Sequence, residues 1–133
     1  MYLVDTNTVS DAHKGVPEPV RWLSSVDPDA VYLSVITIGE ISRGIEHIRD
    51  AKPAKARQLT DWLTTLRSEN EDRILPITEP IAVEWGRMSA HRRRPDADGL
   101  ILATAKVHGL AIVTRNVIHF QDAGVPLVNP WLD

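Results

Sequence analysis

Apolar and polar positions along the chain predict strands alternating with helices. Tyr2-Leu-Val4 is a short apolar run stopped by the polar Asp5-Thr6-Asn7, which reads as a strand followed by a turn. Val31 to Val35 is a second β-rich run. Ser34 or Thr37 then stands where it can cap a helix whose Ile38, Ile41, Ile45 and Ile48 recur at helical spacing. Pro53 opens a longer helix with Leu59, Trp62, Leu63 and Leu66 on one face, and Ile74 to Ile77 reads as a short buried strand. The next helix carries Ile81, Ala82, Trp85 and Met88 on one side and ends in the basic run His91-Arg-Arg-Arg94. Pro95 interrupts the chain before a helix from Asp98 to His108, which Gly109 ends as a C′ residue does. Leu110 to Thr114 is the most apolar strand, and Pro126 to Val128 reads as a short last one.

Such alternation predicts an α/β fold, a three-layer α/β/α sandwich around a short parallel sheet covered on both faces. The chain has 133 residues without internal repeat or low-complexity segment, so one domain spanning 1–133 is expected. Hydrophobic residues make up 43% of it, enough for a core, and that core must be aliphatic because only four Trp, two Tyr and one Phe are present. There is no cysteine, which excludes disulfides, thiolate metal sites and cysteine nucleophiles, and suits a reducing cytoplasm. No apolar run approaches the roughly 20 residues of a membrane span. The charge at Asp5 leaves no room for the apolar stretch of a signal peptide, so a cytoplasmic protein without membrane association is expected. A net charge of -3 means that nucleic-acid binding would depend on a local basic patch.

In parallel sheets, polar residues at the carboxyl ends of strands converge on one crevice. Three acids stand at such junctions: Asp5 after the first strand, Glu40 in the first turn of the helix after the second, and Asp98 opening the helix before the fourth. Each has a structural explanation of its own. Asp5 suits an Asx-turn, Thr37-Ile-Gly-Glu40 has the pattern of a capping box, and Asp98 suits an N-cap. Together they suggest more, because clustered carboxylates repel and are held together by a cation. Oxygen-only donors suit hard ions such as Mg²⁺ or Mn²⁺, whose usual work is to polarise phosphate and activate water. Residue chemistry therefore points to a metal-dependent phosphoryl hydrolase.

Val4-Asp-Thr-Asn7-Thr-Val-Ser10, Ser34-Val-Ile-Thr-Ile-Gly-Glu40 and Asp98-Gly-Leu-Ile-Leu-Ala-Thr-Ala105 resemble, in order, the motifs of the PIN-domain family. His108-Gly-Leu-Ala-Ile-Val-Thr-Arg-Asn116, Phe120 and Asn129-Pro-Trp131 sharpen the resemblance to the VapC-like toxins, including the FitB-like group. The resemblance implies a ribonuclease dependent on Mg²⁺, with Mn²⁺ able to substitute, made with a small antitoxin protein that blocks its site. A homodimer is implied as well. Asp5, Glu40 and Asp98 fall on the family's characteristic acids and become the expected metal ligands and catalytic residues. Asp98 is preferred to Asp96 because it directly precedes the Gly-Leu-Ile-Leu-Ala-Thr-Ala run.

One departure stands out. Where many relatives carry a fourth acid just before a phenylalanine, Thr114-Arg-Asn-Val-Ile-His119-Phe120 has histidine, which leaves the number of ions open between one and two. Asn116 is then a candidate to support catalysis by bonding a ligand or water. Asp122 is near but out of register, and His119 is either a phosphate contact or a surface side chain.

Further positions are candidates for supporting roles. Asn7 either orients Asp5 or only shapes a turn. Thr114 either bonds Asp5 or a phosphate, or caps the next segment of chain; Ser10 also fits the family pattern. Arg92 and Arg93, with Arg94, either contact phosphate or form a solvated helix end. Arg43 and Arg115 are weaker candidates for phosphate or antitoxin. Trp22, Trp62, Trp85 and Trp131 are expected in core or interface. The histidines have no zinc spacing, and neither a phosphate-binding glycine loop nor a serine elbow occurs. Two rivals remain: a catalytically weak or inactive PIN-like partner that binds operator DNA through its antitoxin, and a receiver-type Mg²⁺-binding signalling domain.

Overall fold

Alternate residues of a strand point to opposite faces, and here both faces are apolar. The computed structural model describes residues 1–132. It contains five short strands, β1 (Tyr2–Val4), β2 (Val31–Ser34), β3 (Ile74–Leu75), β4 (Ala111–Val113) and β5 (Leu127–Val128), all parallel, in the order β3-β2-β1-β4-β5. The helices are α1 (Thr6–His13), α2 (Pro17–Ser25), α3 (Val35–Ile48), α4 (Pro53–Glu69), α5 (Glu79–His91) and α6 (Asp96–His108). Leu3, Tyr32, Leu75, Ile112 and Leu127 face a core closed by Ile81, Met88, Ile101 and Leu102 of α5 and α6. Their neighbours Val4, Leu33, Ile74, Val113 and Val128 face a second core formed with Val9, Ile41, Ile45, Ala56 and Trp62 of α1, α3 and α4. The period-2 alternation thus builds a three-layer α/β/α sandwich from one sheet with two buried faces.

This strand order excludes the receiver-type reading, whose sheet runs 2-1-3-4-5. In the observed order the chain leaves central β1 toward β2 and β3, then returns to β4 on the other side of β1. The change of direction lies between β1 and β4, where open α/β sheets form their ligand crevice.

Several local expectations are corrected. Asp5-Thr6-Asn7 is not a turn: β1 runs directly into α1, whose N-cap is Asp5. Thr6-Asn-Thr-Val-Ser has poor helix propensity, and the helix persists because Thr8 and Val9 are buried and Asp5 caps it. No periodic signal announced α2; Pro17 and Pro19 occupy its first turn, where the missing N–H groups cost nothing. Ser34, rather than Thr37, caps α3, with the Ile36 N–H donating to Ser34 Oγ at 3.0 Å. Helix α6 begins at Asp96, so Asp98 is its third residue and not its N-cap. Gly109 ends that helix in the left-handed region, at φ 67°.

The tryptophans pack in different ways. Trp22 meets Tyr2 edge-on at 4.9 Å, and Trp62 stacks on His13 at 4.1 Å. Trp85 of α5 lies over Gly99 of α6, where an added Cβ would stand 3.0 Å from both its Cδ1 and Nε1. Gly99→Ala should therefore destabilise the protein by about 1–2 kcal/mol, overpacking outweighing up to about 1 kcal/mol of recovered helix propensity. In a Trp85→Leu background the same change should be neutral or stabilising. Urea denaturation of the four proteins checks this; an equal penalty in both backgrounds would mean that the indole is not the obstacle.

Candidate functional site

The parallel ladder continues one residue past the ends of β1 and β4. Asp5 N–H donates to the Val113 carbonyl at 2.9 Å, and Thr114 N–H to that of Val128 at 3.0 Å. This sets Asp5 and Thr114 side by side at the carboxyl edge of the sheet, and Thr114 Oγ1 donates to Asp5 Oδ2 at 2.8 Å. Asn7 adds its side-chain amide, donating to Asp5 Oδ2 at 3.2 Å and to Thr114 Oγ1 at 3.3 Å. The other carboxylate oxygen, Oδ1, caps α1 by accepting the Thr6 N–H at 2.8 Å. Asn7 is itself held through its Oδ1, which accepts from Thr8 Oγ1 at 3.1 Å and from the Arg115 N–H at 3.3 Å.

Glu40 reaches this group from α3. It stands in the second turn of that helix, and no capping box forms with Thr37. Thr6 Oγ1 donates to Glu40 Oε1 at 2.6 Å and lies 3.0 Å from Thr37 Oγ1. Asp98 approaches from the first turn of α6, where its charge complements the helix dipole. His119 Nδ1 lies 2.8 Å from Asp98 Oδ2.

Asp5 is only 5% exposed. Burial pushes its carboxyl above the usual carboxylate range; the Thr114 hydroxyl and the Thr6 amide pull it partly back, and the charges of Asp98 and Glu40 push it up further. Asp98 and Glu40 therefore both act on Asp5 across the sheet edge, although the three come from separate elements. Asp96, exposed at the start of α6, is not among the charges acting on Asp5.

As placed, each acid turns to its own donor, and among the described residues no three Asp, Glu or His side chains enclose a metal position. The donor chemistry nonetheless fits a hard divalent cation: it is anionic, all oxygen, and one member is buried against two like charges. Glu40 Oε2 and Asp98 Oδ1 accept no hydrogen bond from the described residues.

Other expected site residues lie differently. Asn116 is exposed, and it is its backbone N–H that donates to Thr114 Oγ1, at 3.0 Å. Arg92 is engaged with the carbonyls of Ile118 and Gln121 and with Asp122; Arg93 is exposed. Arg115 pairs with Asp11 at 3.2 Å and lies over the Trp131 ring at 5.4 Å, tying together three segments. Arg43 is exposed on α3. Ser10 lines a groove of about 440 Å³ that opens beside Thr6 and Glu40 and is walled by Ile41, Ile45, Leu59 and Trp62. The role of Thr6 was not legible in the sequence, where it read as a turn residue.

The chain has counterparts among known proteins. Residues 2–125 match the family described as PIN domain. The chain is 34% identical to toxin FitB of Neisseria gonorrhoeae over 100% of both chains. It is 30% identical to a VapC ribonuclease of Sinorhizobium fredii over 98% of each. Among solved structures, it superposes on that of FitAcB from Neisseria gonorrhoeae with a TM-score of 0.87, at 34% identity, covering 98% of this chain and 99% of that one.

The buried Asp5–Thr114 bond has a testable pH signature. Asp5 holds its proton more tightly folded than unfolded, so its contribution favours folding below the ordinary carboxylate range and is lost as pH rises through its elevated pKa. Thr114→Val removes a donor that the ionised form needs, and should cost about 1–3 kcal/mol at pH 7. The cost should shrink in acid as Asp5 protonates. Urea titrations in EDTA between pH 3.5 and 7 check this, and a cost independent of pH would show that Thr114 does not stabilise the Asp5 charge.

Proposed function

The chain belongs to the PIN-domain family, and from that premise we propose that it is a metal-dependent endoribonuclease serving as the toxin of a toxin–antitoxin pair. The observation that carries this reading is the convergence of Asp5, Glu40 and Asp98 at the switch point of the sheet, with Asp5 buried against the other two charges. Relatives named as a toxin and as a VapC ribonuclease match the chain over almost its whole length, which supports the same activity here.

Asp5, Glu40 and Asp98 would hold the ion, Mg²⁺ by preference with Mn²⁺ able to replace it. When bound, such an ion neutralises charge on a scissile phosphate and lowers the pKa of water. The chain's own groups hold the carboxylates for that task. Thr114 and Asn7 fix Asp5, Thr6 fixes Glu40, and His119 stands against Asp98. No side chain is required as a covalent nucleophile, and the Thr114 hydroxyl is already committed to Asp5. Asn116 and Arg93 are exposed and open to RNA.

The antitoxin is a second partner of this reading. The apolar groove beside Glu40, between α1, α3 and α4, suits the apolar face of a partner helix, and a helix seated there would cover the approach to the acids. A homodimer belongs to the same reading. Its RNA substrate sets the protein in the cytoplasm, and the lack of cysteine suits that compartment. Among the described residues no helix is long and apolar enough to cross a membrane.

The experiment is cleavage of a mixed RNA substrate by purified chain freed of partner, with Mn²⁺, with EDTA and as Asp5→Ala. Cleavage should require metal and disappear in the variant. Equal cleavage by Asp5→Ala would trace the activity to another nuclease and count against the reading, and binding of RNA without cleavage in Mn²⁺ would favour the non-catalytic alternative.

A further inference from the structure

Arg92 and Arg94 stand in the link between α5 and α6, where the sequence offers them to phosphate, yet both guanidinium groups are spent inside the molecule. Arg92 donates to the carbonyls of Gln121 at 2.6 Å and Ile118 at 3.1 Å. Arg94 donates through Nε to the His119 carbonyl at 3.0 Å and through a terminal nitrogen to that of Gln121 at 3.0 Å. Burial, and then the charge of Arg92, push the Arg94 guanidinium down, so its position needs these carbonyls to hold it.

The segment they grip is a single 3-10 turn, Val117–His119, followed by buried Phe120. A turn this short has little order of its own, and the four donated bonds fix where His119 sits. Its ring reaches back to Asp98, four residues beyond Arg94 in the same stretch of chain. Residues 92–98 thus hold the turn at two points: arginines on its carbonyls, and Asp98 on its imidazole.

The chemistry of that second contact is one-directional. An ionised carboxylate only accepts, so Nδ1 carries the hydrogen whether or not the ring is charged. Asp98 Oδ2 is thereby committed to His119, while Oδ1 accepts no hydrogen bond from the described residues.

We propose that His119, set in place by the Arg92–Arg94 clamp, is a positioning residue that orients the Asp98 carboxylate for cation binding through its Nδ1 hydrogen. This role rests on the reading of Asp5, Glu40 and Asp98 as a cation site. It gives the basic run a structural task in the centre instead of a role in holding RNA, and leaves Arg93 as the arginine of the three turned to solvent.

The test is calorimetric titration of the purified full chain with MnCl₂ at fixed pH. His119 is 42% exposed in its side chain, so polar replacements there should fold. In His119→Asn the amide nitrogen falls near the place of Nδ1, and in His119→Gln near that of Nε2. Asn should bind Mn²⁺ as wild type does, whereas Gln should bind about 10–100-fold more weakly, as expected when a group orienting a ligand is lost. Arg94→Gln should also weaken binding, the Arg94→Gln/His119→Gln double variant should be no weaker than His119→Gln alone, and Arg93→Gln should match wild type. Equal affinities for the Asn and Gln variants, or additive losses in the double variant, would overturn the proposal. Wild type that binds no Mn²⁺ would instead overturn the carboxylate site itself, and this inference with it.

Discussion

Asp5 joins three parts of the fold through one buried carboxylate. It ends β1, caps α1 through Oδ1, and crosses to the end of β4 through the Thr114 hydroxyl. A charge held at 5% exposure is costly unless it is bonded, and the donors that meet it come from the start of α1 and the end of β4. Thr114 stands beside it because the parallel ladder runs on past both strands, and Asn7 is in reach because α1 starts at once. The rest of the site is organised around that point, since Glu40 and Asp98 are recognisable as one cluster with Asp5 by the field they exert on it.

That arrangement has a cost in metal-free protein: like charges gather where one of them is poorly solvated. The structure answers with separate donors, Thr6 for Glu40, Thr114 and Asn7 for Asp5, and His119 for Asp98. These bonds keep the acids apart yet oriented. The same balance explains how an anionic crevice persists in a fold this small.

The two-sided apolar strands were legible as short continuous apolar runs bounded by polar residues, and the long helices by apolar positions at 3.6-residue spacing. The candidate acids were legible as residues at strand and helix junctions. Helix α1 was not, because Thr, Asn and Ser favour turns locally and only the Asp5 cap and the burial of Val9 reverse that preference. The bonds of Arg92 and Arg94 were hidden for a related reason: a basic run at a helix end looks solvated until the turn at 117–121 folds over it, a contact between positions 25 to 29 residues apart. Thr6 has no signal beyond its residue type, since its contact with Glu40 arises only when α3 brings that acid to it, and His119 is marked only by its place before Phe120.

The central claim is that three carboxylates from separate elements form one cation-binding cluster. Thermal melting of the partner-free chain in EDTA and at millimolar Mn²⁺, for wild type and Asp5→Asn, tests it most directly, because an ion that binds only the folded state must raise its melting temperature. The account requires a clear rise for wild type and little or none for Asp5→Asn. A melting temperature indifferent to Mn²⁺ in wild type, or an equal rise in both proteins, would contradict it.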